Sequence, residues 1–162
     1  MFTDIVGYTA LMGKDEQKAL KLLEKNQSIQ RNLIEQYHGK LLKEMADGLM
    51  SSFNSVIDAV QCAIGIQIGF REDVDLNIKI GIHLGDVLFK EGDIFGDGVN
   101  IASRIEALAQ KGEILVSESV YLNVKNQQGI HTEFVREEHL KNVEEPVKIY
   151  KVEVQKSLKE TV

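Results

Sequence analysis

With 162 residues and 43% hydrophobic content, the chain is sized for one domain that buries a core without disulfide or metal staples. Nineteen basic against twenty-five acidic residues leave a net charge of −6, which argues against an extended nucleic-acid footprint while leaving room for a local basic pocket. The one cysteine, Cys62, lies in an apolar run and has no partner for an internal disulfide. No stretch reaches the roughly 18 to 20 apolar residues that span a bilayer, so the expectation is a soluble, cytoplasmic fragment with no membrane contact of its own.

Met1 to Thr9 reads as a strand running into a loop at Gly7, and a strand that starts at residue 1 leads us to expect more chain upstream, including a sensor or regulatory domain. Lys14 to Tyr37 places Ala19, Leu20, Leu23, Ile29, Leu33 and Ile34 at helical spacings, with Asp15 and Glu16 at the positive end. This predicts one long amphipathic helix stopped by Gly39. Gly39 to Phe53 predicts a hairpin, with Leu41, Leu42 and Met45 before the turn, Leu49 and Met50 after it, and Asp47-Gly48 as the pair that favours φ > 0. Ser55 caps a second helix that runs through Val56, Ala59, Val60, Ala63, Ile64 and Ile68. Leu76 to Leu84 alternates apolar and polar residues and predicts a strand continuing through Val87, Leu88 and Phe89, with His83 on its polar side. A loop from Lys90 to Gly98 leads into a third helix, Val99 to Gln110, whose apolar face is Ile101, Ala102, Ile105 and Leu108. Asn100 and Arg104 stand four apart on one edge of it. A strand at Glu113–Ser117, a helical turn or two at Ser119–Val124, and strands around His131–Val135 and Val147–Val154 complete a domain over residues 1–154, followed by a polar tail over 155–162. By layer logic this order gives an α+β, ferredoxin-like mixed sheet with helices packed mainly on one face.

The chemistry starts at the first strand. A strand pairing beside the hairpin would bring Asp4 close to Asp47, and two carboxylates so placed can hold hard divalent cations while leaving positions open for phosphate oxygens. After Asp4, the run Ile5-Val6-Gly7-Tyr8-Thr9 turns at a glycine and begins a helix, so its backbone N–H groups are candidates to cradle phosphates. His38, His131 and His139 lack metal-ligand spacing, and zinc is not indicated.

Three blocks, Phe2-Thr-Asp-Ile-Val-Gly-Tyr-Thr9, Lys43-x-x-x-Asp47-Gly48 and Asp93-Ile-Phe-Gly-Asp-Gly-Val-Asn100-Ile-Ala-Ser-Arg104, together resemble the signature blocks of class III nucleotidyl cyclase catalytic domains, in order and over nearly the whole chain. The resemblance implies that Asp4 and Asp47 are the metal ligands for two divalent cations, Mg²⁺ or Mn²⁺, and that Asn100 and Arg104 are the transition-state pair. It further implies that Lys141 binds polyphosphate, although Asn142 stands where the family commonly has glycine, and that Lys43 and Asp93 read the purine edge. A lysine donor and an aspartate acceptor match adenine N1 and N6 and oppose the guanine pattern, so ATP is the expected substrate and an adenylate cyclase the expected enzyme. The family builds two composite sites in a head-to-tail homodimer, with Asp4 and Asp47 from one protomer and Lys43, Asp93, Asn100 and Arg104 from the other. The short link from Asp86 to Asp93 resembles a bacterial subgroup with a shortened dimer arm. The alternative is a non-catalytic cyclase-homology module that regulates a partner; the diguanylate cyclase signature is absent.

Overall fold

The structure, a computed structural model, describes residues 1–154, and the predicted polar tail at 155–162 lies outside them. In chain order the elements are β1 (Phe2–Ile5), α1 (Tyr8–Lys14), α2 (Glu16–Gln36), β2 (Lys40–Glu44), β3 (Gly48–Ser52), α3 (Val56–Phe70), β4 (Ile78–Ile82), β5 (Leu88–Lys90), β6 (Asp93–Phe95), α4 (Asp97–Leu108), β7 (Ile114–Ser117), α5 (Glu118–Val124), β8 (Thr132–Glu138) and β9 (Val147–Val152). Among the described residues, seven strands form one sheet in the order β2-β3-β1-β4-β7-β9-β8, and β5 pairs with β6 in a separate ribbon. Only β4 and β7 run parallel, as the crossover through α4 requires, so the sheet is mixed and mostly antiparallel.

Strand alternation decides which helix covers which face. Ile78, Ile80, Ile114 and Val116 point to one side and are fully buried with Ala59, Val60, Ala63 and Ile66 of α3 and Ile34 of α2. Leu115 and Ile149 point to the other side, where Ile105 and Ala109 of α4 join them with Leu140. The helices are therefore mainly on one face, as expected, and α4 alone occupies the other. Fully burying one aliphatic side chain contributes about 1.5–3 kcal/mol, an upper bound because the unfolded chain already shields some of it. At Gly81 of β4 a β-carbon would lie 2.3 Å from the backbone nitrogen of Glu106, so glycine there lets α4 sit directly on the strand. Cys62 is buried as expected, and burial pushes its thiol up to about 12, leaving it inert.

Several boundaries differ from the sequence reading, each for a local reason. The single long helix is two: Asp15, at φ −150°, leaves helical geometry and its carboxylate accepts the Lys18 N–H as the N-cap of α2. The left-handed residue that ends α2 is His38, at φ 62°, while Gly39 donates to Ile34 O at 2.8 Å and His38 to Glu35 O at 3.0 Å, a Schellman closure. At Asp47-Gly48 neither residue has positive φ. Gly48 is glycine because a β-carbon would meet Thr3 O at 2.3 Å as β1 pairs alongside. The positive φ pair falls instead at Glu91 and Gly92, at 53° and 78°, which turn β5 back onto β6. Thus the strand predicted to continue through Phe89 stops at Ile82, and Val87–Phe89 belongs to the ribbon region.

Candidate active site

The sheet register assembles one half of the site. Asp4 pairs with Gly48 on one side and with Lys79 on the other, and Ile5 N–H donates to Asp47 O at 2.9 Å, so the hairpin turn is stitched to the end of β1. The two carboxyl side chains come within hydrogen-bonding reach of each other. Burial, that contact and the nearby Glu106 push the Asp4 carboxyl up to about 7. Glu106 is itself held above the ordinary carboxylate range, chiefly by burial. Its Oε1 is buried with no hydrogen-bond partner among the described residues, and the nearest cation, Lys79 Nζ, stands 3.9 Å away. Sequence reading missed Lys79 and Glu106; the available signal was a lysine inside a strand otherwise built from isoleucine and glycine.

This donor set fits a hard divalent cation, because two carboxyl groups in contact with Glu106 nearby gather negative charge that a cation would neutralise. Among the described residues no group of three or more His, Cys, Asp or Glu side chains is gathered for a metal, so any further ligands must come from substrate or backbone oxygens. A pH-dependent consequence follows. The folded-state pKa of Asp4 is raised, so metal-free stability is greatest where Asp4 is protonated and falls as pH rises through about 7. We expect the unfolding temperature in chelator to drop between about pH 5 and about pH 8, and added Mn²⁺ to restore it at the higher pH with little effect at the lower. Equal stabilisation by Mn²⁺ at both values would show that Asp4 is not part of the metal site.

The proposed phosphate cradle is narrower than the sequence suggests. The N–H of Ile5 is spent on Asp47 O and that of Val6 on Asn77 O at 2.8 Å. Of the five residues named, this leaves Gly7, Tyr8 and Thr9 to supply amide donors, with Gly7 at φ 77° making the turn into α1.

The other half lies on and around α4. Asn100 is exposed on its first turns, and Arg104 is partly buried, with Nε enclosed and lacking an acceptor among the described residues. At 3.6 residues per turn Arg104 lies about 160° around the helix from Glu106, and it is Glu106 that faces Lys79 and Asp4. Within one chain, therefore, Arg104 leaves α4 on a side other than the one Glu106 presents to the carboxylate pair. Lys141 is exposed in the turn after β8, and its flanking Leu140 and Val143 pack in the α4 cluster, which places the turn on the α4 side of the sheet. Asn142 there has φ 61°, a conformation asparagine tolerates better than most residues, which explains how it replaces a glycine.

A cavity of about 150 Å³ opens between the start of α4 and the ends of β1, β3 and β4, lined among others by Phe2, Met50, His83, Ile94, Val99 and Ala102. Met50 is the cross-strand partner of Lys43, and Ile94 follows Asp93, so both expected purine readers neighbour lining residues in the chain or across the strand pair, though the cavity wall itself is made by Met50 and Ile94. Asp93 Oδ1 accepts the N–H of Ile94 at 2.8 Å.

A family model described as adenylate and guanylate cyclase catalytic domain matches residues 1–154. The chain is 34% identical over 155 residues to a Rhizobium meliloti (strain 1021) protein provisionally named adenylate cyclase 3, covering 91% of this chain and 26% of that one. It is 30% identical over 117 residues to an adenylate cyclase of Streptomyces coelicolor, covering 71% and 31% of the two chains. A crystal structure of an adenylate/guanylate cyclase/hydrolase from Silicibacter pomeroyi superposes with a TM-score of 0.81 at 30% identity, covering 93% of this chain and 92% of that one. The family-model match over residues 1–154 and these identities show that the chain belongs to the adenylate and guanylate cyclase catalytic domain family. It spans about a quarter to a third of the length of these curated relatives. No helix among the described residues is long and apolar enough to cross a membrane.

Proposed function

We propose that the chain is an adenylate cyclase catalytic domain that converts ATP to 3′,5′-cyclic AMP and pyrophosphate in a head-to-tail homodimer with two composite sites. The ribose 3′-oxygen forms a bond to the α-phosphorus as the bond from that phosphorus to the pyrophosphate oxygen breaks, and the 3′-hydroxyl proton passes to solvent. The observation that carries this reading is the enclosed Arg104 Nε, which has no acceptor among the described residues and stands four residues from Asn100 on α4. A buried guanidinium N–H left unpaired costs about 1–3 kcal/mol or more, a cost removed when an anion from outside the chain docks there. Arg104 would meet the α-phosphate as charge builds on it, Asn100 would orient the ribose, and Lys141 with the amides of Gly7–Thr9 would hold the polyphosphate. Divalent cations held by Asp4 and Asp47 would supply Lewis-acid activation of the 3′-hydroxyl and neutralise phosphate charge.

Base choice separates the two activities in the family description. Lys43 donates and Asp93 accepts, the pattern adenine requires. The test is to incubate the purified chain with Mn²⁺ and ATP or GTP and to identify the product by mass: cyclic AMP is expected as the main one. The double variant Lys43→Glu, Asp93→Cys should lower the ATP-to-GTP ratio of kcat/KM by at least about tenfold, the worth of one hydrogen bond mispaired in a closed pocket. An unchanged ratio would remove these two residues from base reading.

A further inference from the structure

His83, which the proposed chemistry does not use, is the residue directly after β4. Its Nδ1 lies 2.7 Å from Ser117 Oγ, Ser117 Oγ lies 2.9 Å from Ser119 Oγ, and Ser119 Oγ donates to Leu84 O at 2.8 Å. A hydroxyl has one hydrogen to give. That of Ser119 goes to the Leu84 carbonyl, which can only accept. The Ser117–Ser119 contact therefore uses the hydrogen of Ser117, and none is left for His83, so Nδ1 must carry the proton and donate to Ser117. Burial holds the imidazolium form down, which keeps the ring neutral. Nε2 is then a bare lone pair.

That edge of the ring bears on backbone. A β-carbon on Gly85 would lie 2.6 Å from His83 Nε2 and 3.5 Å from the Gly98 α-carbon, and one on Gly98 would lie 2.9 Å from Asp86 O and 3.4 Å from the Gly85 carbonyl carbon. The imidazole thus packs on Gly85 and Gly85 on Gly98, with Val87 Cγ1 alongside, 3.2 Å from where a β-carbon on Gly98 would stand, and Gly98 lies two residues before Asn100 in α4. Resting on the cyclase reading above, we propose that His83 is a positioning residue: its ring, fixed in one tautomer by the Ser117–Ser119–Leu84 relay, sets the seat of the first turn of α4 and so the reach of Asn100 to the nucleotide. A packing role alone would need a ring of this size; it would not need the relay.

The test reads tautomer, local order and kinetics separately. In the free wild-type chain, long-range nitrogen–proton NMR of the His83 ring should show Nδ1 protonated and Nε2 bare. Ser119→Ala releases the Ser117 hydrogen toward the ring and should convert it to the Nε2–H form. That variant and His83→Ala should speed amide exchange at Val99–Ile101 and raise KM for ATP by about tenfold or more, the size of loss usual for an outer-shell partner. Mn²⁺ affinity, set by Asp4 and Asp47, should not change. His83→Asn, whose amide N–H can stand in for Nδ1–H, should restore the unfolding temperature while KM stays high. An Nε2–H ring in the wild type, unchanged amide exchange in the variants, or recovery of KM by His83→Asn would each overturn the proposal. The NMR and exchange measurements need no turnover, so a wild-type chain that makes no cyclic nucleotide would count against the cyclase reading and leave the seat of α4 to be judged on its own.

Discussion

Asp47→Ala should lose cyclase activity by roughly a thousandfold, since losing a metal ligand forfeits several kcal/mol of transition-state charge stabilisation, while the fold stays as stable as before. The two halves of this expectation have different causes. Asp47 is only partly buried in a two-residue turn, and what it contributes to the structure is its carbonyl, which accepts the Ile5 N–H. Alanine keeps that carbonyl. The side chain it removes is one of two carboxylates in contact, so in the absence of metal the substitution relieves repulsion, and Asp4 should return toward its ordinary carboxylate range. The metal-free unfolding temperature of Asp47→Ala should therefore equal or exceed that of the wild type, and the stabilisation by Mn²⁺ should disappear together with activity. A variant that keeps more than about a tenth of wild-type kcat/KM would show that the second carboxylate is not required, because one decade is only about 1.4 kcal/mol.

How much of this was legible in the sequence varies with the kind of interaction concerned. The hairpin, α3 and α4 follow from apolar periodicity, and the Ser55 cap was found because a serine before a helical run has one common use, here accepting the Asp58 N–H at 3.2 Å. The break at Asp15 was hidden because an acidic residue suits both a helix start and the positive end of a longer helix. The ribbon was read as more strand because Val87, Leu88 and Phe89 are apolar, although each is substantially exposed. Gly48 and Gly81 looked like turn and strand glycines. Their necessity comes from Thr3 and Glu106, which lie far away in sequence. In the site, Asp4, Asp47, Asn100 and Arg104 stand inside recognisable blocks, whereas Lys79 and Glu106 acquire meaning only from the β1–β4 register and from the side of α4 that faces it. The same register could not be inferred from local pattern, and it is what sets Lys79 and Glu106 beside Asp4.

The shared site proposed above leads to the sharpest expected result, a mixture of two dead proteins that regains activity. Asp4→Ala lacks the carboxylate pair and Arg104→Ala lacks the guanidinium, so each alone should be inactive or nearly so. Neither substitution should threaten the fold, because Asp4 is only half-buried beside like charge and Arg104 has an Nε with no partner to lose among the described residues. If the site is built across a head-to-tail dimer, mixing equal amounts and allowing exchange gives about half heterodimers by random pairing. In each heterodimer the Arg104→Ala chain supplies an intact Asp4 and Asp47, and the Asp4→Ala chain supplies an intact Asn100 and Arg104. One of its two sites is whole and the other carries both lesions. The mixture should recover about a quarter of wild-type activity at equal total protein, and its specific activity, like that of the wild type, should collapse on dilution below the dimer dissociation constant. Within one chain, Arg104 and Glu106 point about 160° apart around α4, so a self-contained site would require that helix to turn on its axis and expose Ile105 and Ala109. Subunit exchange shown independently, for example by mass-tagged chains, together with a mixture that stays as inactive as its parts, would place both halves in one chain and overturn the shared site.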